Sequence, residues 1–248
     1  IYAPYPEEVN RRATDAIADR LYAPTEAARA NLEAEAVAPE SILVTGNTVV
    51  DALFDALDGP LADSARSEAI EADWPFARGG RRIVLVTGHR RESFGAGFAG
   101  ICDGLARLAA RDDVHVVYPV HLNPNVQEPV RRRLAGLANV TLIEPLDYLP
   151  FVHLMRTSDV VLTDSGGIQE EAPSLGKPVF VMRAVTERPE AVDAGTVRLV
   201  GTDPACIYRE VARVLDDAES YRAMSRVHNP YGDGRACDRI IASLKEQG

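Results

Sequence analysis

Cysteine is scarce and scattered. Cys102, Cys206 and Cys237 are all that the 248 residues contain, odd in number and without a C-x-x-C spacing. That excludes a disulfide framework and a thiolate zinc site, fits a reducing compartment, and leads us to expect a cytoplasmic protein. Basic charge is short as well: 27 Lys and Arg stand against 37 Asp and Glu, a formal net charge of −10. A chain of that sign has no general field to draw in nucleic acid or an anionic membrane, so neither is expected as a partner. A small anionic ligand stays open, because a local basic cluster overrules the net sign. No run approaches the roughly 18 apolar residues of a membrane span, and no charged-then-apolar leader opens the chain. H-E-x-x-H is missing and the acids do not gather at ligand spacing, so no metal is expected. What is present is ordinary globular material, 46% hydrophobic and 26% charged, long enough for a sizeable core.

The opening, Ile1-Tyr2-Ala3-Pro4-Tyr5-Pro6-Glu7-Glu8, has no Met and no strand-and-turn start. It reads as the inside of a loop leading into a helix, and the expectation is that the chain begins partway through a larger protein. From Arg81 onward a rhythm sets in of short β-branched runs, loops and helix-period segments. Strands are predicted over 82–87, 114–120, 140–144, 159–163, 178–182 and 197–200, with helices over 98–110, 124–137, 149–157, 168–175 and 190–194 between them. Strands apolar on both faces and separated by helices belong to a parallel sheet covered on both sides, so the fold class is α/β, an open doubly wound sheet. The first 60 residues differ. Helices are predicted over 6–18 and 25–36, the second capped by Thr25, with one short strand over 42–44 and a turn at Gly46-Asn47-Thr48 into a helix over 49–57. Those pieces are too few to close a domain. After them come a helix and a loop within 58–80, then, beyond the sheet, helices over 204–217, 219–226 and 235–246.

Chemistry concentrates at the predicted strand ends. Thr163-Asp164-Ser165-Gly166-Gly167-Ile168-Gln169-Glu170-Glu171 joins a strand to a helix. Its glycines leave backbone N–H groups open at a helix start, which suits a phosphate, and Glu171 one turn on suits ribose hydroxyls. The plainer alternative has Asp164 and Ser165 capping the helix while the glycines permit a tight turn. Asp-Ser-Gly-Gly also surrounds the nucleophile of trypsin-type proteases, but those are all-β, and the G-x-S-x-G of α/β-hydrolases is absent, so a Ser nucleophile is rejected. Thr87-Gly88-His89-Arg90-Arg91-Glu92 ends the first long strand. There His89 suits a phosphate or a proton, Arg90 can offset an anion, and Arg91 reads as a solvated residue paired with Glu92. Tyr118-Pro119-Val120-His121-Leu122-Asn123-Pro124 ends the next, with His121 either facing the cleft or satisfied structurally. Arg188, in Thr186-Glu187-Arg188-Pro189-Glu190, either neutralises a second phosphate or pairs with Glu187 or Glu190. Gly-Gly, His, Arg and Glu on one sheet edge describe a nucleotide-diphosphate site in a Rossmann-like domain.

These segments strongly resemble the bacterial non-hydrolysing UDP-N-acetylglucosamine 2-epimerases. Carrying the likeness are Pro6-Glu7-Glu8-Val9-Asn10-Arg11, residues 44–53, 87–92, 119–125, 163–171 and 186–192, and His228-Asn229-Pro230-Tyr231-Gly232-Asp233-Gly234, in the family's order along nearly the whole chain. The resemblance implies a glycosyltransferase-B-like architecture of two Rossmann-type domains. On that basis residues 1–46 are expected to be the remainder of an N-terminal Rossmann-like domain, 47–228 a UDP-binding one, and 229–248 a helix packing back on the first. It implies interconversion of UDP-N-acetylglucosamine and UDP-N-acetylmannosamine by anti elimination of UDP to 2-acetamidoglucal and re-addition, without a cofactor. Carried over by residue, Ser165, Gly166 and Gly167 would hold the diphosphate, Glu171 the ribose and the region of Phe151 the uracil. Arg188 and His89 would also contact the nucleotide, with His89 and Glu7 in the catalytic set. Arg90 and His121 match positions tied to a regulatory UDP-N-acetylglucosamine in some members. The family's Gly-Thr-Arg-Pro-Glu loop and further catalytic acids have no counterpart here, as if about 100 residues, one small domain, preceded Ile1. A homodimer is the expected assembly. Three rivals share the fold: a hydrolysing epimerase, a UDP-sugar glycosyltransferase, and an inactive UDP-binding module.

Overall fold

The computed structural model describes residues 6–226 and 228–246, so the opening Ile1–Tyr5 of the expected loop lies outside the described residues. The chain divides into two compact units, one drawn from Ile1–Asp51 and Tyr231–Gly248, the other Ala52–Pro230.

In the smaller unit, α1 (Glu7–Asp15) leads to β1 (Leu21–Ala23), α2 (Glu26–Ala34) and β2 (Ile42–Val44). The two strands pair in parallel, Leu21 beside Ile42 and Ala23 beside Val44. A run of only three residues at Leu21–Ala23 gives no readable alternation, and the sequence pattern passes over it. Leu21, Ala23 and Ile42 form a small core, covered by Ala28, Leu32 and Val37. Thr25 caps α2 as expected, its hydroxyl accepting from the Ala28 N–H at 3.0 Å. Helix α3 (Thr48–Asp58) follows, and Asp51 in its first turn accepts from the backbone N–H groups of Ala236 (3.1 Å) and Cys237 (2.7 Å). Those donors open the closing helix of the chain (Ala236–Lys245), so one carboxyl caps a helix nearly two hundred residues away. Gly46 and Gly232 meet backbone to backbone there; a Cβ on Gly46 would lie 3.3 Å from the Gly232 Cα.

The larger unit opens with α4 (Ser64–Glu71). After it come β3 (Arg82–Thr87), α5 (Ala96–Ala109), β4 (Val114–Pro119), α6 (Pro124–Leu134), β5 (Val140–Ile143), α7 (Tyr148–Thr157) and β6 (Val160–Thr163). Then follow α8 (Gly166–Glu171), β7 (Val179–Val181), α9 (Pro189–Asp193), β8 (Val197–Leu199), α10 (Pro204–Asp216) and α11 (Ala218–Ser225); the closing helix already described is α12. All six strands run parallel in the order β5-β4-β3-β6-β7-β8. This is the doubly wound order expected from the alternation of strand and helix, and it reverses direction between β3 and β6. Both faces are buried: Val84 and Val86 join Phe98, Leu105, Val130 and Val211 in one layer, while Leu85, between them in sequence, is fully buried on the opposite face.

Helix α8 begins two residues earlier than its expected start and ends at Glu171; Ala172–Leu175 is a tighter 3-10 turn around Pro173. The spacing Gly95-x-Gly97-x-x-Gly100 looks like a dinucleotide fingerprint, but its first and last glycines have local reasons. Gly95 takes a left-handed φ of 81°, a Cβ on Gly100 would run into the Thr202 carbonyl oxygen, and one on Gly97 would meet Thr202 only at ordinary contact distance. Between α4 and β3, Trp74 and Phe76 cover the sheet in a ladder of rings, His153–Trp74–Phe76–His115, with centroids 5.6–5.8 Å apart.

Candidate functional site

The carboxyl ends of β3, β4, β6 and β7 share one edge of a parallel sheet, with the reversal point between β3 and β6. At such a crevice α/β proteins bind their ligands. The loop after β6 is built around Asp164, which is fully buried. Its Oδ2 accepts from the backbone N–H groups of His89 (2.7 Å) and Arg90 (2.8 Å), so it shapes the loop after β3 and does not cap α8. Ser165 occupies the cap position of α8, but its hydroxyl makes no capping bond. The capping alternative therefore fails for both residues. Ser165 N–H instead donates to the Thr163 hydroxyl at 2.9 Å, and that hydroxyl lies 2.6 Å from Thr87 Oγ1, tying the two loops at the reversal point.

Gly166 and Gly167 follow with ordinary negative φ, outside the left-handed region. A Cβ on Gly167 would meet only Ser165 Oγ at 3.9 Å and Glu171 Oε2 at 4.0 Å; one on Gly166 would lie 3.7 Å from the Arg188 guanidinium. Neither backbone conformation nor packing requires glycine at these positions. What two missing side chains leave is a polar cradle walled by Ser165, Glu171 and Arg188.

Glu171 is buried, and that burial pushes its carboxyl up to about 7 from 4.5, with the neighbouring Glu170 adding to the rise. Tyr148, at the start of α7, donates to it at 3.4 Å and is itself pushed up to about 12, chiefly by burial. Phe151 sits three residues further along α7, on the same face as Tyr148. Arg188 pairs through Nε with the buried Glu170, a partner that neither alternative for this residue included, and donates to the Glu187 carbonyl at 3.2 Å. Its backbone N–H is fixed by Thr186, whose hydroxyl donates to Gln169 (2.6 Å); Gln169 in turn donates to the Ser165 carbonyl (3.0 Å). Glu92 pairs with the buried Arg183, not with Arg91; a buried guanidinium demands a carboxylate, whereas Arg91 is exposed and needs none.

His89 and His121 stack, with ring centroids 5.3 Å apart and 19° between planes. Arg90 reaches the Asp164 carbonyl at 3.3 Å and Glu187 at 3.5 Å. Thus His89, Arg90 and His121 form one cluster, and Ser165, Gly166, Gly167, Glu171 and Arg188 another, joined through Asp164-Ser165. Glu7 opens α1, exposed, in the other unit. Asp164, Tyr148 and Gln169 escape the sequence pattern; only the position of Asp164, directly before Ser-Gly-Gly, hints at its part.

A cavity of about 740 Å³ lies elsewhere, in the smaller unit, lined by Leu21, Tyr22, Ala23 and Leu32. On its rim Arg11 is paired with Glu8, Asp15 and Glu35, and Arg20 donates to the Glu40 carbonyl at 2.6 Å. Size alone does not make it the site of an anion.

The fold defines a class: an α/β protein of glycosyltransferase-B-like architecture with a doubly wound parallel sheet. A family profile described as UDP-N-acetylglucosamine 2-epimerase matches residues 1–245. The UDP-N-acetylglucosamine 2-epimerase of Escherichia coli K12 is 58% identical over 247 residues, covering 99% of this chain and 65% of that protein. Among solved structures, UDP-GlcNAc 2-epimerase from Neisseria meningitidis bound to UDP-GlcNAc superposes with a TM-score of 0.92 at 45% identity, over 99% of this chain and 66% of that one. The Methanocaldococcus jannaschii enzyme in complex with UDP-GlcNAc and UDP gives 0.78 at 31% identity, over 97% and 65%. The chain belongs to the UDP-N-acetylglucosamine 2-epimerase family. It spans about two thirds of the length of the relatives it matches. Among the described residues, no helix is long and apolar enough to cross a membrane.

Proposed function

We propose that this chain holds the UDP of a UDP-N-acetylhexosamine and serves the interconversion of UDP-N-acetylglucosamine and UDP-N-acetylmannosamine without net hydrolysis. The observation that carries this reading is the Gly166-Gly167 cradle, whose missing side chains neither backbone strain nor packing explains. Its polar walls suit a diphosphate, with N–H groups at the start of α8 and the Arg188 guanidinium opposing the negative charge. Glu171 would accept from the ribose hydroxyls, and the α7 face bearing Phe151 would cover the uracil.

Epimerisation at C2 by elimination breaks the C1–O bond to the diphosphate and the C2–H bond. The first step needs negative charge stabilised as it develops on the departing UDP, which Arg188, His89 and the N–H groups are suited to supply. The second needs an acid/base group at C2, the part assigned to Glu7. Re-addition of UDP to the unsaturated sugar, with a proton returned to the other face, gives the epimer. Arg90 and His121, beside His89, would sense a second UDP-sugar at the same edge. A homodimer and a cytoplasmic setting complete the proposal.

The test is a proton NMR time course of UDP-N-acetylglucosamine with the protein in deuterium oxide. UDP-N-acetylmannosamine carrying deuterium at C2 supports the reading. Free N-acetylmannosamine with UDP would make the protein a hydrolysing epimerase, transfer only on adding an acceptor would make it a glycosyltransferase, and binding without turnover would leave a UDP-binding module.

A further inference from the structure

Asp164 is fully buried, and its two oxygens are used unequally. Oδ2 accepts two backbone N–H groups, while Oδ1, equally buried, has no hydrogen-bond partner. His89 Nδ1 lies 3.5 Å from Oδ1. A buried carboxyl oxygen left without a donor is costly, and a small closure of the His89 ring would satisfy it. The stacked partner ring is fixed the opposite way: His121 Nδ1 accepts from the Asn123 N–H at 3.1 Å, so that nitrogen bears no proton. Two imidazoles lie face to face, one offered an acceptor at Nδ1 and the other a donor.

We propose that Asp164 is a positioning residue that commits His89 to carry its proton on Nδ1, leaving Nε2 as the free nitrogen at the sheet edge. The consequence rests on the reading that a diphosphate binds here. A neutral ring protonated on Nδ1 has no hydrogen to give a phosphate oxygen. To donate from Nε2 it takes a second proton from solvent, so bound UDP and Asp164 together hold an imidazolium, and the positive charge appears only when the leaving group is in place. The other groups facing the ring fit this. His121 stacks on it, Arg90 is engaged by the Asp164 carbonyl and Glu187, and the Tyr118 hydroxyl gives its one hydrogen to the Gly88 carbonyl at 2.9 Å, leaving none for Asp164.

Nitrogen-15 spectra of histidine-labelled protein test this, with His89 assigned from its absence in His89→Asn. In the ligand-free wild type at pH 8 the His89 Nδ1 should carry a proton; a bare Nδ1 overturns the proposal whatever the variants do. With UDP saturating, both ring nitrogens should be protonated in the wild type. In Asp164→Asn, whose amide can donate toward the ring, Nδ1 should be bare and the affinity for UDP lower by roughly tenfold. A doubly protonated His89 in that variant would overturn the proposal. Should UDP fail to bind the wild type, the proposed function falls, while the ligand-free spectrum still decides the part of Asp164.

Discussion

Two carboxylates, one in each unit, are driven in opposite directions. Glu8 on α1 is held down to about 2 by hydrogen bonds from Arg11 and then Arg12, in a network that also takes in Glu35. Glu171 on α8 is lifted to about 7 because it is buried, with a tyrosine and no guanidinium for company. The first acid is spent on structure: its charge is answered within the chain, in solvent, where such pairs contribute little. The second is kept in a state that the fold itself does not want, which is how groups reserved for a ligand look. On the rim of the cavity in the smaller unit Arg11 is answered by three carboxylates, whereas Asp164 Oδ1, beside the cradle of the larger unit, has no donor.

The sharpest way to break this contrast is Glu171→Gln. The folded protein retains the Glu171 proton up to about pH 7, against 4.5 for an ordinary glutamate. The stability it contributes is therefore fully present below pH 4.5 and lost as pH rises through about 7. The amide does not ionise, so at pH 8 the variant should be more stable than the wild type, by on the order of 3 kcal/mol at most, with the gap closing by pH 5. Urea unfolding at the two pH values checks it; a gap independent of pH would mean that Glu171 is not held protonated.

A somewhat smaller effect is expected at Gly167. Nothing in the protein lies closer than 3.9 Å to a Cβ there, so Gly167→Val should fold normally. It should weaken UDP binding by about 1–3 kcal/mol, the range of one lost charge-assisted hydrogen bond. Calorimetry giving unchanged affinity in the folded variant would remove the cradle from the account.

The least change should come from the answered charges. Glu35→Gln removes a negative charge shared by Arg11 and Arg12. It should cost less than about 1 kcal/mol, and that difference should vanish in 1 M salt. A larger loss that persists in salt would show that the smaller unit depends on its ion pairs more than exposed pairs allow.

The same contrast separates what the sequence makes legible from what it hides. Strands such as 82–87 and 160–163 are visible because a parallel sheet buried on both faces demands unbroken β-branched runs, and the helices between them keep their period. The glycines, His89, Glu171 and Arg188 are visible because strand ends in such a sheet gather by topology. Partners are not. Asp164 reaches His89 across 75 residues, Glu92 finds Arg183 across 91, and Asp51 caps α12 across 185. No local pattern encodes those distances. Short-range rules therefore pair Arg91 with Glu92 and seat Asp164 as a cap, when tertiary burial gives both acids other work. The glycines at 95, 97 and 100 show the converse: behind a spacing that resembles a phosphate loop stand a left-handed φ at Gly95 and the Thr202 carbonyl against Gly100.

The nucleotide is expected at the carboxyl edge of the six-stranded sheet and not in the cavity of the smaller unit. Titrating the nitrogen-15-labelled protein with UDP and following assigned backbone amides tests it directly. The largest shifts are expected at residues 88–90, 148–151, 165–171 and 186–188, with the amides of Leu21, Tyr22, Ala23 and Leu32 unmoved. Shifts centred on those four residues, with 165–167 silent, would contradict it.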